Sequence, residues 1–131
     1  MGRLNLLLDT HVFLWHILAD ERLGAKQAAM IFDADNTIYL SAVSIFEMSI
    51  KAGIGKLGLP KRYQNNLTLI YVDFNFRPLP ISIAHANGAG FLVGNHRDPF
   101  DRLLAAQSIV EDMPIMTVDV KLRELGADVV W

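Results

Sequence analysis

Four acidic residues occupy positions where α/β proteins collect functional groups: Asp9, Glu47, Asp101 and Asp119. Asp9 closes the apolar run Leu-Asn-Leu-Leu-Leu-Asp, and Asp119 closes Pro-Ile-Met-Thr-Val-Asp. Glu47 and Asp101 fall in the first turn of expected helices. In a parallel sheet the strand ends share one edge, and sites form there. Carboxylates gathered on that edge repel one another unless a cation neutralises them. The pattern points to a divalent metal and to phosphodiester chemistry.

Each carboxylate also has a structural explanation. Asp9 can cap the helix that follows it by accepting backbone N–H groups. Ser44-Ile45-Phe46-Glu47 reads as a capping box, with Glu47 reaching back to the Ser44 N–H. Asp98 suits an N-cap, Pro99 the first helical position, and Asp101 the third, where the helix dipole favours an acid. Asp119 can cap a last short helix. A capped helix start needs one acid, so the pair Asp98 and Asp101 leans towards function. Four carboxylates at three strand ends and one helix start favour a shared site over coincidence.

The remaining polar residues are less diagnostic. His11, His16, His85 and His96 lack a metal-binding spacing on one helical face. His11, next to Asp9, has the reach to touch a substrate, although a half-exposed helix-start histidine is the simpler reading. Lys51, Lys56, Lys61 and Arg62, with Arg97, Arg102 and Lys121, have the charge for a phosphate-contacting rim. Of these, Lys51, Arg97 and Arg102 are the expected substrate contacts, together with Thr10 beside Asp9 and Thr117. By strand alternation Thr117 points to the same side as Asp119. Phe13, Trp15, Phe74 and Phe76 read as core rather than as base-stacking surfaces.

These groups must be positioned by a chain of 131 residues, 52% hydrophobic, which suits one domain spanning residues 1–131 with a sizeable core. The absence of cysteine excludes disulfides, zinc–thiolate sites and cysteine nucleophiles, and fits a cytoplasmic setting. A formal net charge of −2 excludes a generally basic nucleic-acid binder. The apolar segment at the N-terminus reaches Asp9 too soon for a signal or membrane segment. Leu6 stands where a myristoylation motif at Met1-Gly2-Arg3 requires Ser or Thr.

Periodicity predicts strands over 4–8, 37–41, within 73–80, over 114–118 and over 128–131. Helices are expected over 10–19, 25–33, 44–53, 60–70, 82–92, 98–112 and 120–125. Gly53, Gly55 and Gly58 punctuate a loop. Pro78 and Pro80 assign the third strand to an edge, and Gly88 and Gly90 weaken the helix over 82–92. The alternation indicates an α/β fold with a mainly parallel sheet and helices on both faces.

Four segments then take on a joint meaning: Leu-Leu-Leu-Asp-Thr-His-Val-Phe-Leu-Trp over 6–15, Leu-Ser-Ala-Val-Ser-Ile-Phe-Glu-Met over 40–48, His-Arg-Asp-Pro-Phe-Asp-Arg-Leu-Leu-Ala-Ala-Gln over 96–107, and Met-Thr-Val-Asp over 116–119. Together they resemble PIN-domain proteins, and more narrowly the VapC-type toxins of type II toxin–antitoxin systems. The resemblance implies a three-layer α/β/α fold with sheet order 3-2-1-4-5. It also implies RNA hydrolysis with Mg²⁺ or Mn²⁺. It maps the family's acids onto Asp9, Glu47, Asp101 and Asp119, with Asp9 and Asp101 as leading metal ligands. Asp98 is an extra acid of the subgroup. A small antitoxin and a homodimer are the implied partners, with a docking groove expected on the helices over 25–33 and 45–54. Two rival classes fit less well. A haloacid-dehalogenase-like phosphatase wants Asp where His11 stands, and a receiver-like binding domain wants Lys soon after a late strand.

Overall fold

The computed structural model describes residues 3–131. Met1 and Gly2, on which the myristoylation reading turns, lie outside the described residues. Strand β1 (Asn5–Leu8) sets the architecture through its alternation. Leu6 and Leu8 enter a core with Val12, Phe13, Leu40 and Met48, while Leu7 enters a second core with Leu104, Ile115 and Leu122. A strand buried on both faces requires a helical layer on each. Helices α1 (Thr10–Ile17), α2 (Ala25–Phe32), α3 (Ala42–Gly53) and α4 (Leu69–Phe74) serve the first core. Helices α6 (Pro99–Val110) and α7 (Val120–Glu124) serve the second. Between them in sequence, α5 (Ile83–Phe91) lays Gly88 against Ala106 and Val110 of α6.

The strands β2 (Thr37–Ser41), β3 (Arg77–Leu79), β4 (Ile115–Met116) and β5 (Val129–Val130) complete a parallel sheet of order β3-β2-β1-β4-β5. This is the three-layer order expected from the sequence. Pro78 lies in the edge strand β3, where a missing N–H is tolerated. The chain winds outward from β1 to β3, then returns to place β4 on the other side of β1. The crevice between β1 and β4 is therefore the topological switch point, where ligands bind in open α/β sheets. Asp9 follows β1, and its N–H extends the ladder to the Met116 carbonyl at 3.0 Å.

Element ends shift by one or two residues at several places, among them the strand expected over 114–118, which is Ile115–Met116; two differences have a local cause. The chain from Pro60 does not form one helix to residue 70. A 3-10 turn covers Lys61–Tyr63, and α4 begins only at Leu69. The Asn66 side chain accepts the Thr68 N–H at 3.1 Å and the Thr68 hydroxyl, and this local turn competes with helix. Helix α3 begins at Ala42, two residues before the expected capping box. Ser41 is the N-cap and accepts the Val43 N–H at 2.9 Å. Ser44 is buried and bonds Thr10 at 2.8 Å, so the reading of Glu47 as a capping-box partner is corrected.

Gln107 ties these layers together at the sheet edge. Its Oε1 accepts the Ser41 hydroxyl at 2.5 Å, and its Nε2 donates to the Pro80 carbonyl at 3.2 Å. The same Nε2 lies 3.3 Å from His85 Nδ1, which also accepts the Ser82 N–H at 2.9 Å. Two donors at Nδ1 place the ring proton on Nε2, which donates to Glu111 at 2.7 Å. Gln107→Ala leaves the buried Ser41 hydroxyl without its acceptor and opens a void. It is expected to cost about 3 kcal/mol, read as a lower urea midpoint at unchanged slope.

Candidate metal centre

The C-terminal edge of the sheet and the flanking helices α3 and α6 bring five acids to one cavity. It has a volume of about 360 Å³ and is bordered by Asp9, Glu47, Asp98, Asp101 and Asp119, with His11, Trp15, Lys51 and Val118 completing the wall. Asp9 is 6% exposed, at the floor. Asp9 stands at the N-cap position of α1, yet its side chain makes no cap hydrogen bond there. Its Oδ2 instead accepts the Thr117 hydroxyl at 2.7 Å. The same hydroxyl accepts the Asp119 N–H at 3.0 Å, so one buried threonine fixes both acids.

The other acids divide by role. Asp98 caps α6, accepting the Phe100 and Asp101 N–H groups at 2.9 and 3.3 Å. Asp119 caps α7 through the Lys121 N–H at 2.9 Å. A cap uses one oxygen and leaves the other available. Asp101 has no capping role and faces inward, where its Oδ2 meets His96 Nε2 at 2.7 Å. One ligand atom each from His96, Asp101 and Asp119 can lie within 4.8 Å of the others. Glu47 is buried and pairs with Lys51 at 2.7 Å, one helical turn on.

Burial and mutual repulsion mark the electrostatics. Burial is the main force that raises the Asp9 carboxyl to about 6; the Thr117 bond opposes it and the Asp101 charge adds to it. Asp101 is also raised, first by burial, against the His96 bond, with Asp98 and Asp119 contributing. Such a set has too much negative charge for its environment, and a cation reverses that. The donors are mainly carboxylate oxygens, the chemistry that suits Mg²⁺ or Mn²⁺.

Some expected substrate contacts are placed elsewhere. Thr10 and Thr117 are 2% and 1% exposed, with their hydroxyls bonded inside the protein, and so position other residues. Arg102 turns away from the cavity. Its guanidinium donates to the carbonyls of Ala89, His96, Gly90 and Leu92 at 3.0, 3.0, 3.4 and 2.6 Å. Arg62 is held by Asp73 at 2.6 Å. Lys51 is on the cavity wall. Arg97 is exposed beside His96. The sequence reading missed His96, since no His-x-x-x-His pattern announces it. Its signal is its offset from Asp101: five residues back, across a Pro-initiated helix start, returns the ring over the first turn.

Comparison with known proteins places this geometry in context. The model of the PIN domain family matches residues 6–128. No curated protein sequence matches the chain. Solved structures are similar in fold. One is a chain of VapBC2 from Rickettsia felis, bound to a DNA fragment from its promoter, with TM-score 0.72 and 17% identity, covering 97% of this chain and 98% of that one. A chain of FitAcB from Neisseria gonorrhoeae gives 0.67 and 22% identity, covering 96% of each. A chain of a toxin–antitoxin complex from Klebsiella pneumoniae gives 0.65 and 21%, covering 97% of each.

Proposed function

The chain belongs to the PIN-domain family, and from that membership we propose that it is a metal-dependent endoribonuclease, the toxin of a VapC-type toxin–antitoxin pair. The observation that carries the reading is the buried Asp9 at the switch point, facing a cavity walled by four more acids.

In this reading Asp9, Asp101 and Asp119 hold Mg²⁺ or Mn²⁺, with Glu47 and Asp98 binding directly or through water. A bound ion lowers the pKa of water and stabilises charge on the phosphoryl group. Thr117 holds Asp9 and Asp119 in register, so the ligands are preorganised. His96 keeps the Asp101 carboxylate turned inward. Glu47 orients the attacking water, and Lys51, paired with it at rest, is within the same cavity to meet the phosphate. Arg97 adds positive charge at the rim.

The similar structures include toxin–antitoxin assemblies by their descriptions, which supports a small antitoxin as the partner. The flank of α3 offers its groove. Ile45 and Ser49 border a hollow of about 790 Å³ with Leu57, Leu59 and Leu67, and another of about 420 Å³ with Tyr71 and Leu79. Helix α2 borders a separate hollow of about 320 Å³ through Ile31 and the exposed Phe32, so both helices stay within the proposed docking surface. A cytoplasmic homodimer belongs to the same reading, and exposed Ile83, Phe91 and Val93 offer apolar surface for it. Among the described residues no helix is long and apolar enough to cross a membrane.

The test is cleavage of a labelled mixed-sequence RNA by partner-free protein. Cleavage is expected with Mg²⁺ or Mn²⁺, to vanish in EDTA, and to fall roughly a thousandfold in Asp101→Asn. Metal-independent cleavage, or hydrolysis of small phosphate esters without RNA cleavage, would overturn the assignment.

A further inference from the structure

Trp15 borders the acidic cavity although its sequence context marks it as core. It is half-buried, not sealed in either core. On α1 it lies one turn beyond His11, and the two rings are 6.5 Å apart by centroid. The indole is fixed from outside the cavity wall by two contacts. Trp131 meets it edge-on at 6.1 Å and 76°. The Arg22 guanidinium lies 5.2 Å from the ring centroid and is itself anchored by Asp20 at 2.7 Å. The indole N–H has no protein partner among the described hydrogen bonds. It is open to solvent, since among the described residues no buried side-chain nitrogen or oxygen lacks a partner.

An aromatic ring held rigid beside five carboxylates supplies no ligand atom to a metal ion. It suits a flat partner that carries an anionic backbone past those carboxylates. We propose that Trp15 is a substrate-positioning residue, a stacking platform for one nucleobase of single-stranded RNA that sets the adjoining phosphodiester over Asp9. This rests on the ribonuclease reading of the site and names the side chain that positions its substrate. Bases in a duplex are already stacked on each other and present no face, so an unpaired nucleotide is required. Stacking on an aromatic ring tolerates any base, and restriction to one sequence must come from elsewhere. Arg22, itself paired with Asp20, stiffens the ring by cation–π contact.

Two measurements separate this proposal from the reading beneath it. The chain has two tryptophans, so Trp131→Phe leaves Trp15 as the sole indole fluorophore. Titration of that protein with a single-stranded oligoribonucleotide is expected to quench its fluorescence, and an abasic oligomer of equal length should not. Kinetically, Trp15→Leu keeps an apolar side chain without a π face. It should raise KM for single-stranded RNA roughly tenfold while kcat changes less than about twofold, and Trp15→Phe should restore most of the loss. Far-UV circular dichroism checks that each variant is folded. Equal quenching by both oligomers, or a Trp15→Leu protein with unchanged KM, would overturn the platform while leaving the ribonuclease intact. If the parent protein cleaves no RNA, the underlying reading fails, and base-dependent quenching of Trp15 still decides whether the ring stacks a nucleobase.

Discussion

Asp9→Asn protein is expected to lose RNA cleavage yet melt at a higher temperature than the parent in metal-free buffer at pH 7. The carboxyl is nearly inaccessible, and burial raises it from 3.8 to about 6. Between those values the folded chain keeps a proton that the unfolded chain has released. The native state thus binds more protons, and stability falls as pH rises through that window. Above it the loss is complete, at about 3 kcal/mol for this one group. Asn carries no charge to desolvate, and its Oδ1 can still accept the Thr117 hydroxyl. At pH 7 the metal-free variant should melt roughly 10 °C higher. The parent curve should lose stability from pH 4 to about pH 7, and the variant curve should lose less over the same range. Asp101 contributes to the slope in both proteins in the same sense, and the difference between the curves reports Asp9 together with its coupling to Asp101. Added Mg²⁺ should close the gap by stabilising the parent alone. Calorimetry across pH, with and without Mg²⁺, checks the set; equal melting temperatures at pH 7 would mean that Asp9 is not held at a cost.

Arg102→Lys should be the most damaging substitution outside the acids. The guanidinium fork reaches four carbonyls, three from the end of α5 and one from His96. Those helix-end carbonyls have no partner within the helix, and the helix dipole favours a cation there. A lysine amine is a point donor that cannot span the same set. The segment between α5 and α6 is a tight path as well. Gly94 has φ +138°, and a Cβ there would meet the Leu125 side chain at 3.3 Å. With the clamp removed, residues 92–97 lose their anchor and His96 leaves Asp101. The expected cost is about 2–4 kcal/mol, with protease cutting within residues 92–97 and roughly tenfold weaker Mg²⁺ binding. Unchanged proteolysis would show that the carbonyls find other donors.

Arg102 also shows where sequence reasoning stops. Its charge and its place beside Asp101 read as a phosphate contact, because nothing local says that the end of α5 lies against it. The same holds for Gln107, whose partners Ser41 and Pro80 are 66 and 27 residues away. Asp9 and Asp119 were legible because a strand end is a local event. Apolar runs announce the strands, and parallel pairing carries their ends to one edge. Glu47 was placed on the right helix with the wrong partner. Ser41 and Ser44 both satisfy capping chemistry, and only the contact of Ser44 with Thr10 decides between them. Helix propensity over 60–70 lost to the turn that Asn66 builds with Thr68. Trp15 shows the reverse limit, since periodicity assigns a helical face but does not say whether that face ends in core or in a cavity.

The bond between Thr117 and Asp9 joins residues 108 positions apart. A ribosome makes Asp9 early and Thr117 late, and at roughly 5–20 residues per second the two are separated by about 5–20 s of translation. Throughout that interval β1 has no β4 beside it, and neither Asp101 nor Asp119 is yet opposite Asp9. The acidic cavity is therefore assembled only after β4 and the loop carrying Asp119 have left the exit tunnel, so the site is completed by the late part of the chain.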